Sequence, residues 1–320
     1  MFLLVAGTAL GQRGTETTVA FYNVENLFDT INDPGVDDRD FLPGGRYRWT
    51  EERFREKIEH LAGVIAGMGF PDVVGLAEVE NAGVIEALTG APQLAAARYD
   101  YFYFTSRDRR GIGVAMLYRS GRVDPLTVRP LRYRGVSTYT SRDILYVSGR
   151  LAGSDIHLLV CHLPSAGSAA RYRTAAARSV RDYADSIGRT GAAVAVMGDF
   201  NMNPGSKLYR ELTVGADSRT VLKNPYAGLF ARGYGSYRYR ERWNMYDMVL
   251  VNQALWPDGE TADGGSLLRF REGNAHIFIR DHLIQTGGRW AGYPFRSYSG
   301  SHYIGGYSDH LPVYLVIRKE

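Results

Sequence analysis

The most informative stretch of the sequence reads VAVMGDFNMNP and spans residues 194–204. Its apolar half predicts a buried strand that ends at Gly198. Because side chains alternate along an extended backbone, Asp199 and Asn201 then point to the same side at a strand end, where ligand sites commonly lie. An Asx turn closed by Pro204 would use the same residues, since Asp and Asn readily hydrogen-bond nearby backbone groups. The stretch alone favours a ligand site and a turn equally.

Five other apolar runs carry polar side chains at or near an end, where those side chains need hydrogen-bond partners or a cation. In chain order, the polar residues of all six runs are Asn23, Glu78, His162, Asp199 with Asn201, Asp247, and Asp309 with His310. Each has an ordinary structural explanation, such as a satisfied core amide for Asn23 or a strand-capping carboxylate for Asp247. The recurrence of the pattern weakens these separate explanations and favours one shared site.

The single cysteine, Cys161, excludes an intrachain disulfide framework and a Cys-rich zinc site. It directly precedes His162 at a predicted strand end, and adjacent strand residues face opposite ways. We therefore expect Cys161 to be buried and unreactive, and not a nucleophile paired with that histidine.

Strand-like runs recur through the chain, with few helices between them. The runs are 19–24, 72–79, 99–105, 112–118, 144–151, 156–161, 192–197, 245–251 and 312–317. One amphipathic helix is predicted to begin after a capping Thr50 and to end near Met68. A second is predicted over about 169–187, with Arg173 and Arg181 among the arginines on its outer face. This arrangement predicts two sheets packed face to face with helices outside.

The composition indicates an ordinary globular protein. Hydrophobic residues make up 45% and charged residues 22% of the 320 residues, which excludes a disordered chain and a fibrous repeat. That length allows one large domain or two ordinary ones, and the lack of a repeat or a clear linker in the sequence favours one. The formal charge of +4 tolerates acidic partners. Arginine supplies 34 of the 38 basic residues, a bias that a GC-rich genome explains better than phosphate binding.

The N-terminus predicts export. Residues 2–10 are apolar or small, and Ala9-Leu10-Gly11 ends in a small-x-small pattern that signal peptidases accept. We interpret residues 1–17 as a truncated signal peptide and leader, followed by a single domain over 18–320. The protein would then be periplasmic or extracellular, and cytoplasmic if the apolar run is not a signal. No stretch is long enough for a transmembrane helix, so we expect no stable membrane insertion.

The ordered set of strand-end residues resembles the endonuclease/exonuclease/phosphatase superfamily. This group contains pancreatic-type deoxyribonucleases, abasic-site endonucleases, sphingomyelinases, inositol-polyphosphate 5-phosphatases and deadenylases. The resemblance spans about 19–317, and its most specific parts are Gly-Asp-Phe-Asn at 198–201 and Ser-Asp-His at 308–310. It implies an α/β protein with a four-layer α/β/β/α sandwich of two mainly antiparallel packed sheets. The site would lie at one end of the paired sheets.

The resemblance also implies a divalent metal, Mg²⁺ or Mn²⁺, held by oxygen ligands. Glu78 matches the principal magnesium ligand of the family, and Asn23 matches another residue of the first metal site. Asp309 matches a possible further ligand. Carboxylate and amide oxygens of this kind suit either cation.

Five residues match the family's catalytic positions. Asp199 and Asn201 match the pair that orients or activates the attacking water and binds the phosphate. His162 matches a histidine that donates to the scissile phosphate or to the leaving group in the deoxyribonuclease and sphingomyelinase branches. Asp247 matches the acid that orients the final histidine, His310. Which of these groups is the general base stays open.

Three residues are candidate substrate contacts. Arg109 and Arg110 lie in a loop that approaches the ligand in family members, although exposed arginine clusters are more often solvated. Asn203 follows the central motif. The loop 232–242 mixes arginines with tyrosines, as some nucleic-acid surfaces do, although an ordinary tyrosine-rich loop accounts for it slightly better.

These observations predict a metal-dependent phosphoester hydrolase. We expect a monomeric nuclease that acts on DNA or RNA. Small phosphate esters, such as inositol phosphates or lipid headgroups, are the alternative substrates. A catalytically silent nucleic-acid-binding module on the same fold is the alternative of another class, but the acidic set is complete, which disfavours it.

Overall fold

The computed structural model describes residues 16–135, 141–257 and 268–319. The predicted signal peptide and leader therefore lie almost entirely outside the described residues, and export stays a prediction. Among the described helices, none has the length and apolar character needed to span a bilayer.

The described residues form strands and helices from Glu16 to Lys319. The strands are β1 (Glu16–Leu27), β2 (Val73–Val79), β3 (Tyr99–Tyr103), β4 (Gly113–Arg119), β5 (Val123–Leu131), β6 (Ile144–Leu151), β7 (Ser154–His162), β8 (Val194–Asp199), β9 (Tyr237–Tyr239), β10 (Arg242–Asn244), β11 (Asp247–Val251), β12 (Leu268–Ile277), β13 (Tyr298–Ser299), β14 (His302–Tyr303) and β15 (Val313–Lys319). The α-helices are α1 (Glu51–Gly67), α2 (Ala82–Thr89), α3 (Ala170–Gly188), α4 (Lys207–Thr213) and α5 (Ala227–Ala231). Short 3₁₀ helices lie at Arg39–Phe41, Pro92–Ala97, Gln253–Leu255, Asp281–Leu283 and Gly288–Trp290.

Two large sheets carry the fold. One has the strand order β12-β15-β1-β2-β4-β3 and the other the order β11-β8-β7-β6-β5. Neighbouring strands are antiparallel except for β1 beside β2 and β7 beside β8. The predicted α/β class and the two mainly antiparallel sheets are confirmed.

Alternating side chains on β1 show how the layers are built. Val19 and Phe21 pack into the core between the sheets, whereas Ala20 and Tyr22 pack into a second core beneath α1 and α2. The sheets touch closely at Gly75, where a Cβ atom would lie 2.7 Å from the Met197 sulfur. The result is the four-layer α/β/β/α sandwich that the sequence predicted.

The two predicted helices are present with small shifts at their ends. Thr50 caps α1 by accepting a hydrogen bond from the Arg53 backbone N–H at 3.4 Å, as predicted. On α3, however, Arg173 and Arg181 are not simply outward. Arg173 donates to the Asn201 carbonyl at 2.8 Å, and Arg181 is largely buried against the segment after α4. Their long stems cover apolar surface while their guanidinium groups bind backbone carbonyls.

Candidate active site

Three adjacent strands of the five-stranded sheet place three functional side chains side by side. His162 at the end of β7 is the register partner of Asp199 at the end of β8, and Asp199 is the partner of Asp247 at the start of β11. All three are buried. Directly paired residues share a face of the sheet, so the three form a row. Gly198 permits the close approach of β8 to β7, because a Cβ atom there would lie 2.3 Å from the Cys161 carbonyl oxygen.

His310 completes this row from the other sheet. Its Nδ1 lies 2.7 Å from Asp247 Oδ2, and its Nε2 lies 3.9 Å from Asp199 Oδ2. Burial alone would lower the pKa of His310, but the Asp247 carboxylate, helped by Asp199 and Asp309, raises that pKa well above its usual value. His310 is therefore an imidazolium at neutral pH, oriented by Asp247.

The segment before β15 is fixed onto β1 by hydrogen bonds. The Ser308 hydroxyl donates to the Asn23 carbonyl at 2.7 Å and accepts from the His310 backbone N–H at 3.1 Å. Tyr237 stacks on the His310 ring at a centroid distance of 4.7 Å. The backbone of His310 is thus fixed by Ser308, and its ring is fixed by stacking on Tyr237.

The six-stranded sheet contributes Asn23 and Glu78. The Asn23 amide nitrogen donates to Asp199 Oδ2 at 3.1 Å, and its oxygen accepts from the Glu25 backbone N–H at 3.0 Å. Glu78 lies at a break in register on β2 and has a φ of +66°. Its Oε2 accepts from the Asn26 backbone N–H at 2.9 Å, and its Oε1 lies 4.0 Å from His162 Nε2. The break turns this carboxylate toward the row on the other sheet.

These groups surround a cavity of about 390 Å³. Seven of the eleven predicted site residues line it: Glu78, Arg110, His162, Asp199, Asn201, Asp309 and His310. Asn23 and Asp247 lie directly behind the wall, hydrogen-bonded to Asp199 and His310 respectively. The structure thus brings nine of the predicted residues together.

Asn201 satisfies both explanations of the central motif. Its backbone N–H donates to Asp199 Oδ1 at 2.9 Å, which is the Asx turn, while the residue also lines the cavity. Its amide donates to the Leu163 carbonyl at 3.0 Å, and its φ is +51°. The Asx turn therefore places Asn201 on the wall of the cavity.

The structure does not bring Arg109 and Asn203 to the cavity. The Arg109 side chain is 79% exposed and pairs with Asp37. The Asn203 amide donates to Asn244 Oδ1 at 2.8 Å, and its oxygen accepts from the Met245 backbone N–H at 2.9 Å. Asn203 therefore joins two loops, and neither residue supports its predicted role as a substrate contact.

Sequence reasoning missed Arg142. It is buried at the cavity wall, and its Nε makes no hydrogen bond within the described chain. Its Nη2 lies 3.4 Å from Asp108 Oδ2. Arg142 precedes β6, whose start lies beside the end of β7, so the strand-end criterion that found His162 would also have found it.

The pKa values of two other buried groups in the site are shifted in opposite directions. Burial raises the pKa of Asp199 to about 7, and the charges of Asp247 and Glu78 add to this effect, although His310 opposes it. Burial lowers the pKa of His162 well below its usual value, and Arg142, His310 and Arg110 lower it further. At neutral pH the site holds one protonated histidine and one neutral histidine.

The donor set fits a divalent cation. Among the described residues, Asp199, Asp247 and His310 form a group of potential ligands whose atoms lie within 4.8 Å of one another. The hydrogen bond between His310 and Asp247 occupies two of those donors, so Glu78 and Asp309 are the better candidates on the cavity wall. A wall rich in carboxylates favours a hard cation that accepts oxygen ligands.

This end of the sandwich has what a phosphoester hydrolase needs, because it combines an acid-oriented histidine with carboxylates for a cation and arginines for an anion. The chain belongs to the Endonuclease/Exonuclease/phosphatase family, whose model matches residues 18–319. The sequence matches no curated protein.

Similar solved structures share the fold at low identity. The human Nocturnin catalytic domain with bound sulfate is 17% identical, with a TM-score of 0.61, over 96% of this chain and 95% of that one. A Bacteroides thetaiotaomicron mannosyl-6-phosphatase is also 17% identical, with a TM-score of 0.59, over 94% and 99%. A humanized D. rerio TDP2 is 14% identical, with a TM-score of 0.60, over 95% and 99%. These likenesses establish the architecture alone.

Proposed function

We propose that this protein is a divalent-metal-dependent nuclease that hydrolyses phosphodiester bonds in DNA or RNA by in-line attack of an activated water. The observation that supports it is the cavity, where a protonated His310 faces a carboxylate of Asp199 whose pKa is about 7. Arg110 and Arg142 border the same space. The pair supplies a base and a cationic donor at neutral pH, and the arginines supply charge for phosphate.

Asp199 is the proposed general base. Its pKa near 7 lets the carboxylate accept a proton from water at neutral pH, and hydrogen bonds from Asn23 and Asn201 hold its two oxygens. His310 donates through Nε2 to a non-bridging phosphate oxygen, while Asp247 holds Nδ1. Neutral His162 donates a hydrogen bond to the departing oxygen from the other side of Asp199, and that oxygen takes its proton from solvent water.

Glu78 and Asp309 would hold the cation, with Asn23 behind them, and Mg²⁺ or Mn²⁺ suits these oxygens. When bound, the cation would polarise a phosphoryl oxygen and offset the charge that develops there. Arg142 lies on the cavity wall, where its guanidinium would bind a non-bridging phosphate oxygen. We propose that the enzyme works as an exported monomer.

A small phosphate ester is the second candidate substrate. A second cavity of about 180 Å³ opens beside the first and shares Asn26 with it, which would suit one compact group attached to the phosphate. One similar structure is named a mannosyl-6-phosphatase, which supports a sugar phosphate as a test substrate.

The test compares plasmid nicking with phosphate release from hexose and inositol phosphates, each with Mg²⁺, Mn²⁺ or EDTA. We expect metal-dependent nicking that EDTA abolishes and that Asp199→Asn reduces by about 10³-fold. Asp155→Asn, at the exposed opposite end of β7, is the matched control and should behave as wild type. Phosphate release without nicking would move the assignment to the second candidate. Salt-dependent DNA binding without any turnover would contradict both and favour the binding module.

A further inference from the structure

The second cavity has walls of two chemical kinds. Four aromatic residues form one part of it: Phe41, Tyr47, Trp49 and Tyr298. Glu25 and Arg296 supply charged groups to the rest. With a volume of about 180 Å³, the cavity has room for one ring-sized group.

The aromatic wall is rigid and presents apolar faces. Phe41 stacks on Tyr47 at 4.7 Å, and Tyr47 meets the edge of Tyr298 at 4.9 Å. Two of the polar tips are already bound to backbone, because the Tyr298 hydroxyl donates to the Tyr47 carbonyl at 2.9 Å and the Trp49 indole N–H donates to the Phe28 carbonyl at 2.8 Å. The aromatic side chains offer a ligand mainly ring surface.

Arg296 brings unused donors to this cavity. Its Nε is buried and has no hydrogen-bond partner, and among the described residues the guanidinium forms no salt bridge within 4.0 Å. The guanidinium lies 4.9 Å from the centre of the Trp290 ring. Arg296 lines the cavity, and among the described residues its guanidinium donates no hydrogen bond to the protein, so a ligand acceptor beside it would be stabilising.

Glu25 adds an acceptor that is held in place. Its Oε2 accepts from the Ser297 backbone N–H at 2.7 Å and lies 3.8 Å from the ammonium group of buried Lys57. Lys57 in turn donates to the Ser297 hydroxyl at 2.8 Å. Within the described residues, no hydrogen bond from a protein donor reaches Oε1, which leaves that oxygen for a ligand hydroxyl.

The wall between the two cavities is a strained dipeptide. Glu25 and Asn26 have φ values of +50° and +51°, in the left-handed region that residues other than glycine rarely adopt. Hydrogen bonds to Asn23 and to Glu78 hold it. The same dipeptide therefore shapes the metal-candidate side of the first cavity and the polar side of the second. A group in the second cavity can belong to the molecule whose phosphate lies in the first.

We propose that the second cavity is a subsite for the hydroxylated sugar ring of the phosphoester substrate. The aromatic faces take the apolar face of the ring, while Glu25 accepts from one hydroxyl and Arg296 donates to another. The shared chemistry is a ring with neighbouring hydroxyl groups, as in a hexose phosphate or a ribonucleotide. The proposal rests on the proposed phosphoesterase function and narrows its substrate class.

The test measures binding, so that it does not depend on turnover. Calorimetry with the Asp199→Asn protein and Mg²⁺ compares inorganic phosphate, a hexose 6-phosphate, a ribonucleoside 5′-monophosphate and its 2′-deoxy counterpart. We expect either the hexose 6-phosphate or the ribonucleoside 5′-monophosphate to bind at least tenfold more tightly than inorganic phosphate. If it is the ribonucleotide, the 2′-deoxy form should lose most of that gain. The tighter ligand identifies the source of the ring.

Arg296→Ala should remove the advantage of the sugar-bearing ligand and leave the affinity for inorganic phosphate unchanged. Phe41→Leu, on a half-buried side chain, should reduce the advantage severalfold, and circular dichroism checks that each variant folds. Equal affinities for all four ligands would overturn the proposal, as would an equal loss for phosphate and sugar phosphate in Arg296→Ala. If the wild-type enzyme hydrolyses nothing, the proposed function fails while this binding comparison still decides the subsite.

Discussion

The two sheets bring their functional groups to the same cavity in different ways. On the five-stranded sheet, β7, β8 and β11 stay in unbroken register through His162, Asp199 and Asp247. On the six-stranded sheet, the register shifts between Asn23 and Leu27 on β1, and a second shift surrounds Glu78 on β2. The first sheet is regular at the site, and the second is bent there.

This difference separates two requirements of the chemistry. Proton transfer needs fixed distances between acid, base and histidine, and a regular ladder supplies them at little conformational cost. A cation and a substrate need side chains aimed out of the sheet, and a bulge supplies that aim at the cost of strain. Glu25, Asn26 and Glu78 carry that strain as positive φ angles.

The largest effect is expected from the regular row. His310→Gln should lower kcat by about 10³-fold with little change in KM, because it removes the imidazolium proposed to donate to the phosphate. Asp247→Asn should leave the ring in place but remove the charge that raises the His310 pKa, so its activity should fall at a lower pH than in wild type. Steady-state rates between pH 5 and 9 check both. Near-normal turnover by His310→Gln would contradict the role of the row.

The bent sheet is tested by two substitutions at one position. Glu78→Gln keeps the positive φ and removes a carboxylate, so we expect the metal concentration for half-maximal activity to rise by at least about tenfold. Glu78→Gly should lose a similar amount of activity. Its free energy of unfolding, measured by urea denaturation, should be about 1 kcal/mol higher than that of Glu78→Gln, because glycine adopts this φ without strain. Equal stability of the two variants would mean that Glu78 stores no strain.

Sequence reasoning found strand-end residues of both sheets and missed Arg142 on the five-stranded one. The period of two along a strand and the position of a strand end were sufficient to select His162, Asp199, Asp247 and His310, because these residues depend on local backbone geometry. Arg142 depends on the pairing of β6 with β7, which is a long-range contact. The sequence places Arg142 next to a strand end, but only this pairing shows that the end lies beside His162.

Other differences between the sequence prediction and the structure have separate physical reasons. The edge strand β5 was not predicted, because Pro125 and Pro130 break its pattern, and proline is tolerated only where a ladder bond is dispensable. Buried Lys57 lies on a helix face that the sequence pattern assigns to core, and its burial depends on Glu25 and on the 297–307 segment. Arg109 and Arg110 are neighbours in one loop, but only Arg110 lines the cavity. The turn of the loop decides which of the two side chains reaches it.

A smaller effect is expected for substrate capture beside the row. Arg142→Met should raise KM by about tenfold and change kcat less, because the proposed role of the lost group is to bind phosphate and not to transfer a proton. Arg109→Ala is the matched control, since that side chain is exposed and paired with Asp37 outside the cavity. A larger loss in the control than in Arg142→Met would reverse the assignment of the two arginines.

The smallest effect is expected near the start of β7, far from the site. There, a substitution on the regular sheet should change the stability of the protein and leave turnover unchanged. His157 lies near the start of β7, five residues before His162, with its Nδ1 2.8 Å from the Tyr146 hydroxyl. Burial lowers the pKa of His157 below 6.5, so its contribution to stability is full above pH 6.5 and is lost as the pH falls through its folded pKa. His157→Gln should therefore show a shallower fall of Tm between pH 7 and pH 5 than wild type. Turnover at pH 7.5 should be unchanged, and a parallel loss of turnover would mean that the ladder couples its two ends.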